Sequence, residues 1–223
     1  MKYLEYTPLD SISSFLSHVN LGECILKGNL EAYSCKHTGM DKKLSLSLEK
    51  EFLDCLAESP GSFSSSPSLS SKDGRKTLIY LVLTLNHMYP DYDFSAVQAH
   101  HFVREDALDN FELKFNSYML EAAREWASIN GESSLLESTL RAIDEVINLE
   151  ECEVYSYYPD FEEDPSLEKG AIWSFYFFFY NKKLKRVVSF RCACLSKLVM
   201  DDDQFVDEMQ MNDDWDIFDG MDM

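Results

Sequence analysis

Apolar residues along this chain fall into helical spacing at both ends of a helical middle and into strand-like alternation elsewhere. Behind Thr7-Pro8, the residues Leu9, Ile12, Phe15, Leu16 and Val19 share one helical face. Pro8 suits a first-turn position, and Asn20-Leu21-Gly22 predicts the stop. Residues 23–36 then read as two strands, 24–27 and 30–35, joined by a hairpin turn at Gly28-Asn29. Residues 44–57 predict a helix with Leu48, Phe52, Leu53 and Leu56 on its buried face. Leu78, Ile79, Leu81, Val82 and Leu85 predict a buried helix ending before Pro90. After a turn over residues 90–94, Ser95 is a candidate N-cap for a short helix through His101. Residues 106–129 predict one long helix, broken by Gly131, and residues 133–149 another with Leu136, Leu140, Ile143 and Ile147 inward. Three strands follow, at 152–157, 172–180 and 184–194. An acidic loop precedes the second, and an Asn181-Lys182 turn precedes the third. The expected fold class is α/β of the α+β type: one globular domain with a five-stranded, mainly antiparallel sheet packed by helices.

Composition interrupts this pattern twice. Residues 59–73 hold eight Ser, two Pro and one Gly, too little apolar surface to offset the entropy of ordering them. Residues 201–223 hold nine Asp, one Glu and no Lys or Arg. The expected organisation is therefore 1–57 as the N-terminal part of the fold, 58–74 as a mobile Ser-rich linker, 75–200 as the remainder, and 201–223 as a disordered acidic tail. The formal net charge is −20. Phosphate-backbone binding relies on Lys and Arg displacing counterions, so a broad nucleic-acid face is not expected. No stretch is apolar for long enough to cross a membrane.

Chemistry-bearing motifs are sparse. The six cysteines form no C-x-x-C pair, and residues 1–10 lack the apolar run of a secretory leader, which predicts reduced thiols. Cys192-Ala193-Cys194 would place two thiols on one strand face with no nearby His, and burial is the favoured account. There is no Gly-rich phosphate loop, nucleophile elbow or zinc-protease helix. His100 and His101 diverge by about 100° on a helix and do not form a chelating pair. No catalytic residue, metal or cofactor is assigned.

Three stretches stand out. Pro90-Asp91-Tyr92-Asp93-Phe94-Ser95 is a turn whose rings suit anchoring and whose acids suit either amide capping or recognition. Residues 172–180 alternate Trp173, Phe175, Phe177 and Phe179 with a second, largely aromatic face. That pattern predicts a central strand covered on both sides. A row of rings also suggests a single-stranded nucleic-acid platform, against which the charge balance weighs. The bases Lys182, Lys183, Lys185 and Arg186 fit a nuclear-import patch, a contact for an acidic protein surface, or an ordinary solvated turn. Ser59-Pro60 and Ser66-Pro67 fit proline-directed kinases, and Lys42-Lys43-Leu44-Ser45 weakly fits a basophilic one.

Three blocks together resemble the eukaryotic Maf-type negative regulators of RNA polymerase III. They are residues 1–36 with Tyr33-Ser34-Cys35-Lys36, residues 90–95 with the helix start Arg75-Lys76-Thr77-Leu78, and residues 173–186 preceded by Tyr155-Ser156-Tyr157-Tyr158-Pro159-Asp160. The resemblance implies an antiparallel sheet with flanking helices and no enzymatic activity. It implies binding to the polymerase near its clamp, which hinders engagement with initiation factor IIIB. It also implies inactivation by kinases of nutrient signalling, with Ser59 and Ser66 as the linker sites, and shuttling between nucleus and cytoplasm; Ser45 is a candidate from its own basic motif.

Overall fold

The longest strands are also the most apolar, and they form the centre of a twisted antiparallel sheet. The structure, a computed structural model, describes residues 1–58, 71–94, 97–131, 133–159, 164, 168 and 170–198. Within these, the strands are β1 (Lys2–Tyr3), β2 (Val19–Asn20), β3 (Cys24–Ser34), β4 (Phe102–Glu105), β5 (Glu153–Tyr157), β6 (Ala171–Asn181) and β7 (Arg186–Ser196). Their order is β1-β3-β7-β6-β5-β4, with β2 also on the outer side of β3. All pairs are antiparallel.

The helices are α1 (Thr7–Leu16), α2 (Gly39–Glu58), α3 (Lys72–Met88), α4 (Asp109–Tyr118), α5 (Leu120–Ile129) and α6 (Leu135–Ile147). They cover both faces of the sheet. On one face, Leu26, Leu30, Phe175, Phe177, Phe179, Val188 and Phe190 pack against α1, α4, α5 and α6. On the other, Tyr33, Tyr155, Tyr157, Tyr176, Phe178 and Tyr180 pack against α2, α3 and the segment through Phe94 and Val97. A strand's side chains alternate between faces, so the doubly aromatic β6 feeds both cores at once. Phe177, Phe178 and Phe179 are fully buried, each contributing about 2–3 kcal/mol of apolar burial.

The mixed fold with an antiparallel sheet is as expected; the strand count is not. Gly28-Asn29 is no hairpin turn. Residues 24–34 are one continuous strand, paired with β7 from Cys24↔Ser196 to Ser34↔Arg186. Gly28 is there because α1 lies against it. A Cβ added at Gly28 would sit 3.0 Å from the Leu16 Cβ and 3.3 Å from the Arg191 carbonyl. The sheet gains the short strands β1, β2 and β4; Val19 and Asn20, at the end of the expected first helix, form β2 by pairing with Leu26 and Ile25.

The single helix over 106–129 is two helices meeting at the buried Met119. The Met119 amide caps α4 at the Phe115 carbonyl, and its carbonyl accepts from the Ala123 amide. The bend lets Phe111 and Phe115 on α4, and Ala122 and Trp126 on α5, reach the same core. Leu53 on α2 is exposed rather than buried, whereas Leu48 and Phe52 are core. The side chain of Leu56, and Ser59, Ser66, Ser95, most of the 160–170 loop, the 59–70 part of the linker and the 201–223 tail, lie outside what the structure describes.

Candidate functional site

The β6–β7 turn is built from one buried amide. Asn181 is fully buried. Its side-chain oxygen accepts from the Lys183 and Leu184 amides, both at 2.9 Å, and its side-chain nitrogen donates to the Ile147 carbonyl at 2.7 Å. Arg186 donates through Nη1 to the Val146 carbonyl at 2.6 Å. Val146 and Ile147 end α6, whose last carbonyls have no partner within the helix. The helix has no basic residue in its own last turn. The hairpin thus supplies both the missing donors and a cation at the negative end of the helix.

This arrangement separates the four candidate bases. Arg186 is a helix cap as much as a surface charge. Lys182 pairs with Glu153 at 3.0 Å, and Lys183 with Glu151 at 2.6 Å. Both are exposed pairs, worth about 0–1 kcal/mol each and readily exchanged for another partner. Lys185 has no carboxylate partner among the described residues. It occupies the left-handed region at φ 53°, and its carbonyl accepts from the Cys35 amide at 2.9 Å. Of the four, Lys182, Lys183 and Lys185 present their ammonium groups to solvent.

The turn after α3 combines both readings of its sequence. Phe94 is fully buried, and Tyr92 stacks edge-on against it with centroids 4.7 Å apart. Pro90, Asp91 and Asp93 are exposed. The rings therefore fasten a turn whose carboxylates face outward. In β6, Phe175, Phe177 and Phe179 are core, and Trp173 is half-buried beside Tyr118 at 5.0 Å. A stacking platform requires accessible ring faces, and the buried rings of this strand do not offer them. Ser45 is half-buried on α2, beside the exposed Lys42 and Lys43.

Two polar networks escaped the sequence reading. Arg191 interrupts the apolar run of β7; it pairs with Glu168, donates to the Tyr89 hydroxyl at 2.5 Å, and lies over the Tyr89 ring at 5.7 Å. The signal was a charge inside an otherwise apolar strand. Asp41 is buried and accepts from the Met1 ammonium, the Thr38 amide at 2.6 Å and His87 at 3.0 Å. Burial opposes its charge, but these donors outweigh it and hold the carboxyl well below the usual range. Nothing local in the sequence joins residues 1, 41 and 87.

Cys35, Cys152, Cys192 and Cys194 are placed for packing rather than chemistry. Burial pushes Cys35 and Cys152 up to about 12. Burial, together with Cys24, does the same for Cys194, and a protonated thiol is a poor nucleophile and ligand. Cys192 is buried against Met119. No cluster of three or more metal-ligating side chains occurs among the described residues. A groove of about 450 Å³ runs between α1 and β3, past Ser13, Ser17, Lys27 and Asn29. No histidine or cysteine lines it, so it lacks an imidazole-activated nucleophile.

Comparison with known proteins agrees with this architecture. The Maf1 regulator family model matches residues 26–191. A repressor of RNA polymerase III transcription from Schizosaccharomyces pombe is 36% identical, with the match covering 89% of this chain and 85% of that protein. The Dictyostelium discoideum repressor of RNA polymerase III transcription is 30% identical over 91% of this chain and 88% of its own length. Two crystal structures of citrus MAF1 superpose with TM-scores of 0.73 and 0.74, at 61% and 58% identity. They cover 86% and 85% of this chain and 98% and 100% of theirs. With the family model spanning the sheet from β3 to β7 and whole-length relatives on both sides of it, the chain belongs to the Maf1 regulator family.

Proposed function

We propose that this chain represses RNA polymerase III transcription by docking its folded body on the polymerase near the clamp and hindering engagement with initiation factor IIIB. The observation that carries this reading is the whole-length similarity to proteins named as repressors of RNA polymerase III transcription. The chemistry of the site supports a binding role over a catalytic one. The solvent-facing groups are charges on rigid turns: Asp91 and Asp93 beside the anchored Phe94, and Lys182, Lys183 and Lys185 on the Asn181-pinned hairpin. Charges preorganised in this way steer association and set orientation.

Regulation belongs to the same proposal. Phosphates at Ser59, Ser66 or Ser45 add negative charge to a chain already at −20, weaken docking, and shift the protein from nucleus to cytoplasm. The test is affinity purification of the tagged full chain from stressed cells, with and without phosphatase treatment. Dephosphorylated chain should retrieve polymerase III subunits, and phosphorylated chain fewer. Failure of the dephosphorylated form to retrieve them would sink the proposal. In the same cells, Ser59→Ala with Ser66→Ala should raise nuclear localisation and lower transfer-RNA synthesis.

A further inference from the structure

The start of α3 and the β6–β7 turn flank a hollow of about 190 Å³, lined by Asp73, Lys76, Thr77, Tyr80, Tyr180, Lys182 and Lys185. That volume is many times the roughly 10–15 Å³ that one water requires, enough for a small oxyanion and its ester oxygen. Three ammonium groups around one hollow are unusual in a chain with 40 acids and 20 bases. Lys182 shares its charge with Glu153 at 3.0 Å. Lys76 and Lys185 have no carboxylate partner among the described residues, and the lining as a whole keeps an excess of positive charge over Asp73.

The neutral donors point to the same chemistry. Tyr80 and Tyr180 are mostly buried, with ring centroids 5.8 Å apart. Neither hydroxyl has a hydrogen-bond partner among the described residues, although both line the hollow. Burial raises both phenols above their ordinary range, so each keeps its proton and remains a donor. Lys76 lies 6.0 Å from the Tyr80 ring centroid. Lys185 is fixed by its left-handed backbone and by the Cys35 amide. The lining therefore offers donors from two elements and three ammonium groups against the one carboxylate of Asp73.

We infer that this hollow is a phosphate-binding site, taking the dianionic head of a phosphate monoester between Lys76, Lys185 and the two tyrosine hydroxyls. Ammonium groups serve phosphate as compact point charges, and charged hydrogen bonds to phosphate oxygens are stronger than neutral ones. The inference does not depend on polymerase binding, because its test needs only the purified chain.

The probes are inorganic phosphate and O-phosphoserine, titrated at constant ionic strength into isotopically labelled, dephosphorylated full chain and followed by amide resonances. Saturable shifts are expected at Lys76, Tyr180 and Lys185, with half-saturation in the millimolar range. Lys76→Gln and Lys185→Asn should each weaken binding about tenfold; Asn tolerates the left-handed backbone at that position. Tyr80→Phe should weaken it severalfold while preserving the ring. Lys183→Gln, in the same turn but outside the lining, should leave binding unchanged. Absence of saturation, or an equal loss in Lys183→Gln, would overturn the inference. A chain phosphorylated beforehand identifies the source. A Lys185 resonance already at its bound position at every protein concentration means that the chain's own phosphoserine fills the hollow. A resonance still free to titrate with O-phosphoserine means that the phosphate comes from another molecule.

Discussion

Replacing Asn181 by Ala removes one side chain that serves three backbone groups. The Lys183 and Leu184 amides lie in an open turn and can turn to water, so losing their acceptor costs little more than the net bonds themselves. The Ile147 carbonyl is different. It ends α6 beneath the hairpin, and the bond from Asn181 to it is buried. A net hydrogen bond is worth about 1 kcal/mol, and leaving a buried acceptor with only the weak Cys152 thiol donor, at 3.6 Å, costs about 1–3 kcal/mol more. The expected loss is about 2–4 kcal/mol. For a chain of this length that lowers the melting temperature by roughly 4–16 °C. Urea denaturation of the full chain, read from far-ultraviolet circular dichroism and tryptophan fluorescence together, measures it. Asn181→Asp separates the contributions: its carboxylate still accepts from the turn amides, but it cannot donate to Ile147 and it buries a charge, so it should be at least as destabilising as Ala. A loss below about 0.5 kcal/mol in Asn181→Ala, against the range above, would refute the claim that this residue joins the hairpin to α6. Asn181→Asp matching the wild type would refute the role of the donated bond.

Two further expectations test the packing and the buried acid. Gly28→Ala forces a Cβ to 3.0 Å from the Leu16 Cβ, and Leu16 cannot rotate that atom away. The overpacking should exceed the roughly 0.4–1 kcal/mol gained from a stiffer unfolded chain. Gly39→Ala, with nothing within 4 Å, should not destabilise; equal urea midpoints for the two variants would reject the close approach of α1. For Asp41, the folded-state pKa lies below the unfolded one. Its contribution is therefore complete above the ordinary carboxylate pKa of about 3.9 and is lost as pH falls below it. The stability gap between wild type and Asp41→Asn should narrow as pH falls from about 5 toward about 3; a gap that widens over that range would contradict the assignment.

Local pattern alone determined much of this molecule. The spacing of Leu48 and Phe52, of Leu78 through Leu85, and of Ile143 and Ile147 marks helices, because one face of each must leave water. The doubly aromatic run from Phe175 to Tyr180 marks a central strand, because no exposed strand carries rings on both faces. The same run, with its flanking motifs, identified the family. What the chain could not express locally was partnership across distance. Gly28 looks like a turn until α1 is seen resting on it. Residues 106–129 look like one helix until the bend at Met119 is seen to direct both halves toward the same core. Val19-Asn20 and Phe102–Glu105 are strands only because β3 and β5 have open edges to pair. The basic run after Tyr180 was legible as charge. Only the tertiary structure sorted it into a helix cap at Arg186, ion pairs at Lys182 and Lys183, and at Lys185 a cation with no carboxylate partner among the described residues, lining one hollow with Lys76, 109 positions earlier in the chain. Periodicity reports which side of an element is dry; which distant residue shares that side is settled only by the folded arrangement of the elements.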